Sequence, residues 1–293
     1  MVSIFCKCKT MTKGSHKILL NNKLDKEIQS AANSLNFPLH LFFASKYSIK
    51  NDHIYPRSSI YHYVAFSIMI ISNVLTFYRI VTFAMTDTNM TNLENILIRF
   101  FTTLYFMIYV CNFILTFVLD TVHRYDNVFL ILGIQNINRN INISNSISSY
   151  IIWNWIFLIA IISINMYICV TFYTLYLNVS FTKIMVQIPI DYMFYVFDVS
   201  YVICIRFIVL LKKYLDEWVE IVMKMKDRRE NDDEQCLKLF RLYQNILMVY
   251  NLYKDNYELL TLSHVVDKFV RTLLSLYIII FKVKKYLISG SQL

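Results

Sequence analysis

Glycine and proline are nearly absent, with three of each in 293 residues. A sheet-rich fold needs tight turns, and these two residues supply most of them, so an extended β architecture is excluded. Charge is scarce too: 17% of residues are Asp, Glu, Lys or Arg, against about a quarter in ordinary soluble domains. No apolar core follows the N-terminal lysines, so a cleavable signal peptide is not expected. The chain has no Gly-rich phosphate loop, no H-E-x-x-H and no G-x-S-x-G, its six His are dispersed, and no two carboxylates share a convincing face. An enzyme is therefore not expected. The six cysteines make no disulfide framework. Cys111, Cys169 and Cys204 lie inside apolar runs, where Cys behaves as a small hydrophobe. Cys6 and Cys8 form a C-x-C without a second Cys/His pair at zinc spacing, so neither a metal nor a cofactor is expected.

What is abundant is apolar surface: 57% hydrophobic and 16% aromatic residues, with a mean hydropathy of +0.45. Long helices with few corners fit this composition. The reading is an all-α membrane protein, with a greasy soluble helical bundle as the alternative. A net charge of +9 does not mark a nucleic-acid binder, because the basic residues come in blocks. Nine Lys/Arg lie at or before Arg57 and nine more between Lys212 and Lys254. Blocks between apolar stretches are what the positive-inside bias produces.

Four stretches can cross a bilayer core of about 30 Å, which takes about 20 helical residues. They are 60–85, 98–119, 150–177 and 188–211. A fifth candidate, 265–281, is short, and Asp267, Lys268 and Arg271 crowd its first turns. The link 86–97 carries no Lys or Arg, and 178–187 carries only Lys183. The N-terminus is thus expected in the cytoplasm, and those two links outside. Asn89 ("NMT") and Asn178 ("NVS") fall in the external links as candidate glycosylation acceptors, whereas Asn142 ("NIS") is internal. Lys282, Lys284 and Lys285, after the fifth candidate, are on the wrong side for an odd number of spans. Either that segment does not cross, or 282–293 is not the natural end of the fold.

The stretch 196–225, "VFDVSYVICIRFIVLLKKYLDEWVEIVMKM", passes from apolar to amphipathic with no Pro or Gly. Leu211, Leu215, Trp218, Val222 and Met225 follow steps of four and three, a heptad seam. After the charged segment "KDRRENDDEQ" the seam restarts at Leu239, Tyr243, Ile246, Tyr250, Tyr253, Tyr257 and Leu260. The fourth span should therefore continue into the cytoplasm beyond Lys212 and Lys213, reverse, and return as a helical hairpin. That hairpin either closes on itself or also joins subunits.

Asp198 and Arg206 lie within the apolar part of this helix. A charge at bilayer centre costs about 2.5–3.5 kcal/mol on insertion scales, so each should face a bundle interior or a wet cavity. They are eight residues apart, about 12 Å along the axis, and cannot pair with each other, so each needs its own partner. For Asp198 the alternatives are a wet vestibule open to the outside and a buried structural hydrogen bond. Arg79 can snorkel to the interface. Phe77, Phe101, Tyr105, Tyr173 and Phe194 lie in the outer halves of the spans, where they face lipid or pack the core. A subset, with Asp198, would line a pocket for a small organic ligand.

Two stretches carry a family resemblance: "FPLHLFFASKYSIKNDHIYP" at 37–56 and "LFRLYQNILMVYNLYKDNYELLTLSHVVDKFVRTLLSLY" at 239–277. Through them the chain resembles the insect gustatory receptors, the lepidopteran branch in particular, over about 37–281. The resemblance implies a multi-pass plasma-membrane chemoreceptor of taste with a cytoplasmic N-terminus and seven spans. Such receptors are ligand-gated cation channels assembled as tetramers. Cytoplasmic helices hold the subunits together, and an outer pocket receives the tastant. The family's pore-lining motif, a Thr-Tyr pair followed by Gln in the seventh span, has no counterpart, since no Thr-Tyr dipeptide occurs here. The chain is thus expected to be truncated after its fifth span and incomplete in its pore.

The expected organisation is a cytoplasmic segment 1–59, spans one to four within 60–211, a cytoplasmic hairpin 212–264, a fifth span 265–281 and a tail 282–293. Its partners would be a small-molecule tastant, the lipid bilayer and other receptor subunits, with no nucleic acid. An odorant receptor or a non-conducting, regulatory membrane protein are the competing readings. A transporter lacks support, because no pair of Gly/Pro-interrupted helices is present.

Overall fold

A computed structural model describes residues 22–85, 93–141, 144–171, 181–228 and 233–290. Among these there are seven helices and one two-stranded sheet, in the order α1 (Lys26–Leu41), β1 (Tyr47–Lys50), β2 (His53–Pro56), α2 (Ser59–Met85), α3 (Leu93–Val122), α4 (Arg124–Asn140), α5 (Ser144–Thr171), α6 (Phe181–Arg228) and α7 (Asp233–Gly290). The mostly helical character matches the composition. Each of the five apolar stretches, the third as far as Thr171, lies on its own helix: α2, α3, α5, α6 and α7.

The N-terminal segment is a small folded unit. Ile28, Ala31, Ala32, Leu35 and Leu39 are buried at helical spacing on α1. The strands pair antiparallel, Tyr47 opposite Pro56 and Lys50 opposite His53. Asn51 and Asp52 join them with φ of 51° and 64°. Positive φ at both central residues is the backbone of a two-residue hairpin turn, and Asn and Asp tolerate it best after Gly. Arg139 of α4 grips Asp25 with Nε and Nη2 at 2.8 and 2.9 Å, which ties the unit to α4. That hydrogen bond holds the Asp25 carboxyl below its ordinary range, whereas burial raises the Tyr47 phenol above its own.

α6 is the central element, packing against every other described helix. Val196, Phe197, Val199, Ile203, Cys204, Phe207, Leu210, Leu211 and Tyr214 are all buried along it. It runs unbroken to Arg228, and α7 starts at Asp233, so the chain reverses within the charged segment. α7 then returns antiparallel to α6. Trp218 donates to the Leu239 carbonyl at 3.0 Å and stacks near Tyr243, with ring centroids 5.1 Å apart. Further along, Tyr257 faces Phe207 and His264 faces Tyr201.

This register revises two details of the expected hairpin. Residues 253–264 of α7, assigned to its cytoplasmic arm, lie beside 201–207 of α6, assigned to the fourth span. A straight antiparallel pair forces both helices to cross a given level together, which periodicity along each arm cannot reveal. The buried stripe of α7 is also rotated from the expected seam. Ile246, Tyr257 and Leu260 of the expected seam are buried, as is Leu211 on α6, but Leu242 and Val249 replace Tyr243 and Tyr250; Leu215, Tyr243 and Tyr250 are exposed and Trp218, Val222, Leu239 and Tyr253 only half-buried. The reason is that α7 packs on α3 and α4 as well as α6.

Two stretches, Ser59–Tyr78 of α2 and Ser146–Tyr167 of α5, are long and apolar enough to cross a membrane. A third is added if α3 and α4, bent by 67°, count as one crossing. Among the described residues this is two to three, against the five expected. The equivalent levels of α6 and α7 carry Asp198, Arg206, Asp267, Lys268 and Arg271. Much of the surface of α2 and α5 is apolar: Ile60, Tyr63, Ile71 and Val74 on one, Ile152, Trp153, Ile159 and Tyr167 on the other, are exposed. Asn89, Asn142 and Asn178 lie outside the described residues.

α4 and α7 meet at Gly133. A Cβ there would lie 2.5 Å from Val249 Cγ2. Overpacking of this kind costs about 1–3 kcal/mol, against about 0.5–1 kcal/mol gained from Ala in a helix interior. Gly133→Ala should lower the melting temperature of the detergent-solubilised protein. Adding Val249→Ala should recover part of that loss, although Val249→Ala alone destabilises; a non-additive double-mutant cycle is the readout.

Candidate functional site

The two ionisable groups of α6 are each met from the side by a neighbouring helix. Asp198 is buried, and its carboxylate accepts hydrogen bonds from Lys268 Nζ on α7 at 3.1 Å and Asn165 Nδ2 on α5 at 3.3 Å. The Lys268 side chain is 44% exposed, so the pair reaches from the interior to the surface. Asp198 and Arg206 thus have separate partners, as their spacing requires.

Arg206, two turns on, is buried as well. Its Nε donates to Asn154 Oδ1 at 2.5 Å, and its guanidinium lies over the Tyr150 ring, 4.6 Å from the centroid. The Tyr150 hydroxyl returns a bond to the Arg206 carbonyl at 2.8 Å. Asn154 Nδ2 donates onward to Ser34 Oγ at 3.0 Å, and Ser34 Oγ to the Ala31 carbonyl at 2.8 Å. The chain of contacts therefore runs from α6 through α5 to α1. Phe37 of α1 packs beside Trp155, ring centroids 5.6 Å apart. Arg206 is thus reached by the N-terminal segment rather than surrounded by apolar spans alone. Aromatic faces, an amide oxygen and a carbonyl disperse its charge without a carboxylate.

Beside Asp198, α7 adds further polar groups. The His264 ring stacks on Tyr201 at 3.6 Å and lies 5.0 Å from Phe197. Asp267 is wholly buried, with Arg271 Nη2 at 3.8 Å, and Arg271 lies over the Tyr109 ring of α3. Of the residues that crowd the fifth apolar segment, Asp267 is turned inward, Arg271 lies against α3, and Lys268 reaches from the surface to α6. A further ion pair, Lys46 with Asp120, joins the N-terminal unit to the end of α3. Lys46 also lies 5.3 Å from the Tyr257 ring of α7.

Of the residues expected to supply the pocket, Asp198 and Phe77 have described side chains, and Phe77 is exposed. Tyr173 lies outside the described residues, as do the side chains of Phe101, Tyr105 and Phe194. The structure brings to Asp198 and Arg206 three residues that sequence reasoning missed: Asn154, Asn165 and Tyr150. The signal was present. Asn154 and Asn165 interrupt an apolar run eleven residues apart, three turns, and so share a face of α5. Among the described residues no group of three or more His, Cys, Asp or Glu could hold a metal ion. Comparisons of the chain with protein-family models, curated proteins and solved structures return no match.

The enclosure of Arg206 and the openness of Lys268 predict unequal costs. Asn154→Leu takes from the buried Arg206 Nε its acceptor and from Ser34 Oγ its donor, and should destabilise by about 3 kcal/mol. Asn165→Leu leaves Asp198 its lysine and should cost about 1 kcal/mol. Thermal melts of both variants in one detergent test the order; equal losses would contradict it.

Proposed function

We propose that the chain is a multi-pass subunit of a plasma-membrane chemoreceptor of the insect gustatory type, a ligand-gated cation channel responding to small organic tastants. The observation that carries the membrane reading is the exposed apolar surface of α2 and α5. Surface of that extent is at home in lipid, where helices satisfy their own backbone and only side chains meet the solvent. The basic N-terminal segment and the nine Lys/Arg between Lys212 and Lys254 then lie on the cytoplasmic side, with five crossings by α2, α3, α5, α6 and α7. The long α6–α7 hairpin supports the receptor reading, as does the folded unit ahead of α2, which the first family-like stretch spans.

In such a receptor the outer end of α6, near Asp198, is where a ligand would act, and a ligand shifts a closed–open equilibrium only by binding the two states unequally. The hairpin beyond Leu211 is the element available to other subunits. No pore residues are assigned to this chain, because the Thr-Tyr…Gln motif is not in it. The α6–α7 hairpin, as an element open to other subunits, favours a second reading, a non-conducting subunit that modifies a conducting partner.

Expression of the chain alone and together with a conducting gustatory receptor separates the two. Tastant-evoked cation current that requires this chain supports the receptor proposal. Suppression of the partner's current supports the regulatory reading, and indifference of the partner together with silence of the chain alone overturns both.

A further inference from the structure

A cleft opens where the N-terminal unit meets the first turns of α2. Ala65, Ile68 and Met69 of α2 and Phe113 and Phe117 of α3 form its walls, and Phe43 stands at its lip. Its cavity volume is about 30 Å³. Ligand pockets for compact solutes bury about 70–90% of the ligand surface. So small a cavity cannot do that. A molecule already dissolved in the bilayer needs no such enclosure, since its chain only exchanges lipid neighbours for protein ones.

The rim is basic. Arg57 donates to Ser45 Oγ from Nε at 3.0 Å and lies over the Tyr61 ring. Arg124 lies over Tyr125, and both guanidinium groups are within electrostatic reach of the His62 ring. Among the described residues neither arginine is in an ion pair; the carboxylate in the cleft wall, Asp120, is already engaged by Lys46. His62 Nε2 is buried without a hydrogen-bond partner among the described residues. The lip is strained as well. Phe43 has φ 53°, the left-handed conformation that closes α1, where its N–H bonds to the His40 carbonyl and that of Ala44 to Leu39. Glycine is the usual residue at such a helix end, and a bulky side chain there is a backbone outlier. An aromatic ring held at this position extends the apolar wall outward.

We infer that this cleft is a binding site for an anionic phospholipid of the inner leaflet, its acyl chain along α2 and α3 and its headgroup against Arg57, Arg124 and His62. The assignment rests on the membrane orientation proposed above. Apolar walls between α2 and α3 suit the chain, and guanidinium groups near the cleft, with no carboxylate partner among the described residues, suit a phosphate.

The test uses the full chain, purified in detergent and given back phosphatidylserine, phosphatidylcholine or inorganic phosphate. Native mass spectrometry counts bound lipid, and thermal melts report folding. Wild type should retain phosphatidylserine over phosphatidylcholine. Arg57→Gln should weaken that retention about fivefold, the effect of one surface cation, and Ala65→Trp should block the chain. Ile152→Trp, on the exposed face of α5, should leave retention unchanged. Retention of phosphatidylserine at wild-type level in a folded Arg57→Gln protein overturns the site, as does equal retention of the two lipids or protection by inorganic phosphate alone. Should Ala65→Trp fail to fold, Arg57→Gln still decides. A chain that never enters the membrane fraction refutes the orientation itself, an outcome distinct from a membrane-bound chain indifferent to lipid charge.

Discussion

α6 packs against every other described helix, yet it carries a buried carboxylate and a buried guanidinium within two and a half turns of each other. Neither charge can turn to solvent by rotating the helix, so each has to be satisfied by what packs beside it. That requirement accounts for much of the surrounding architecture. α5 presents Asn154 and Asn165 on one face, one for each charge. α7 brings Lys268 to Asp198. α1 sits where Ser34 can complete the amide of Asn154. Removing one member of such a buried polar network is costly because the remainder is left unpaired.

The same network sets what is continuous in the molecule. Asp198 and Lys268 lie toward one end of the packed region, and Arg206, Asn154, Ser34 and the Lys46–Asp120 pair lie toward the other. A shift of α6 along its axis would disturb both ends at once. In the proposed receptor this joins the region where ligand would act to the folded unit ahead of α2, through a helix with two packed ends rather than through a flexible linker.

Much of this was legible in the residues. The unbroken run of α6, its change from apolar to amphipathic and its reversal in "KDRRENDDEQ" follow from periodicity and from the lack of Pro and Gly after Val196. The need for separate partners for Asp198 and Arg206 follows from the rise of a helix. What stayed hidden depends on contacts between distant segments. α4 carries charge at both ends and has a modest apolar face, so it reads as an internal link until α7 is seen lying against Gly133. The β-hairpin rests on Asn51–Asp52, a turn signal as clear as a glycine, but its strands are only four residues each. The stripe of α7 was displaced because a heptad gives the face toward one partner, and α7 has three. No local pattern in α1 pointed Ser34 toward Asn154.

The register of α6 against α7 is the arrangement on which the partnering of Asp198 depends, and intramolecular disulfide trapping tests it most directly. In a chain whose native cysteines are replaced by serine, Tyr201→Cys with His264→Cys should cross-link readily under mild oxidation, as the two native rings stack at 3.6 Å. Tyr201→Cys with Tyr257→Cys, two turns away, should not. Cross-linking of the second pair with the first left free would place α7 in another register and remove Lys268 from Asp198.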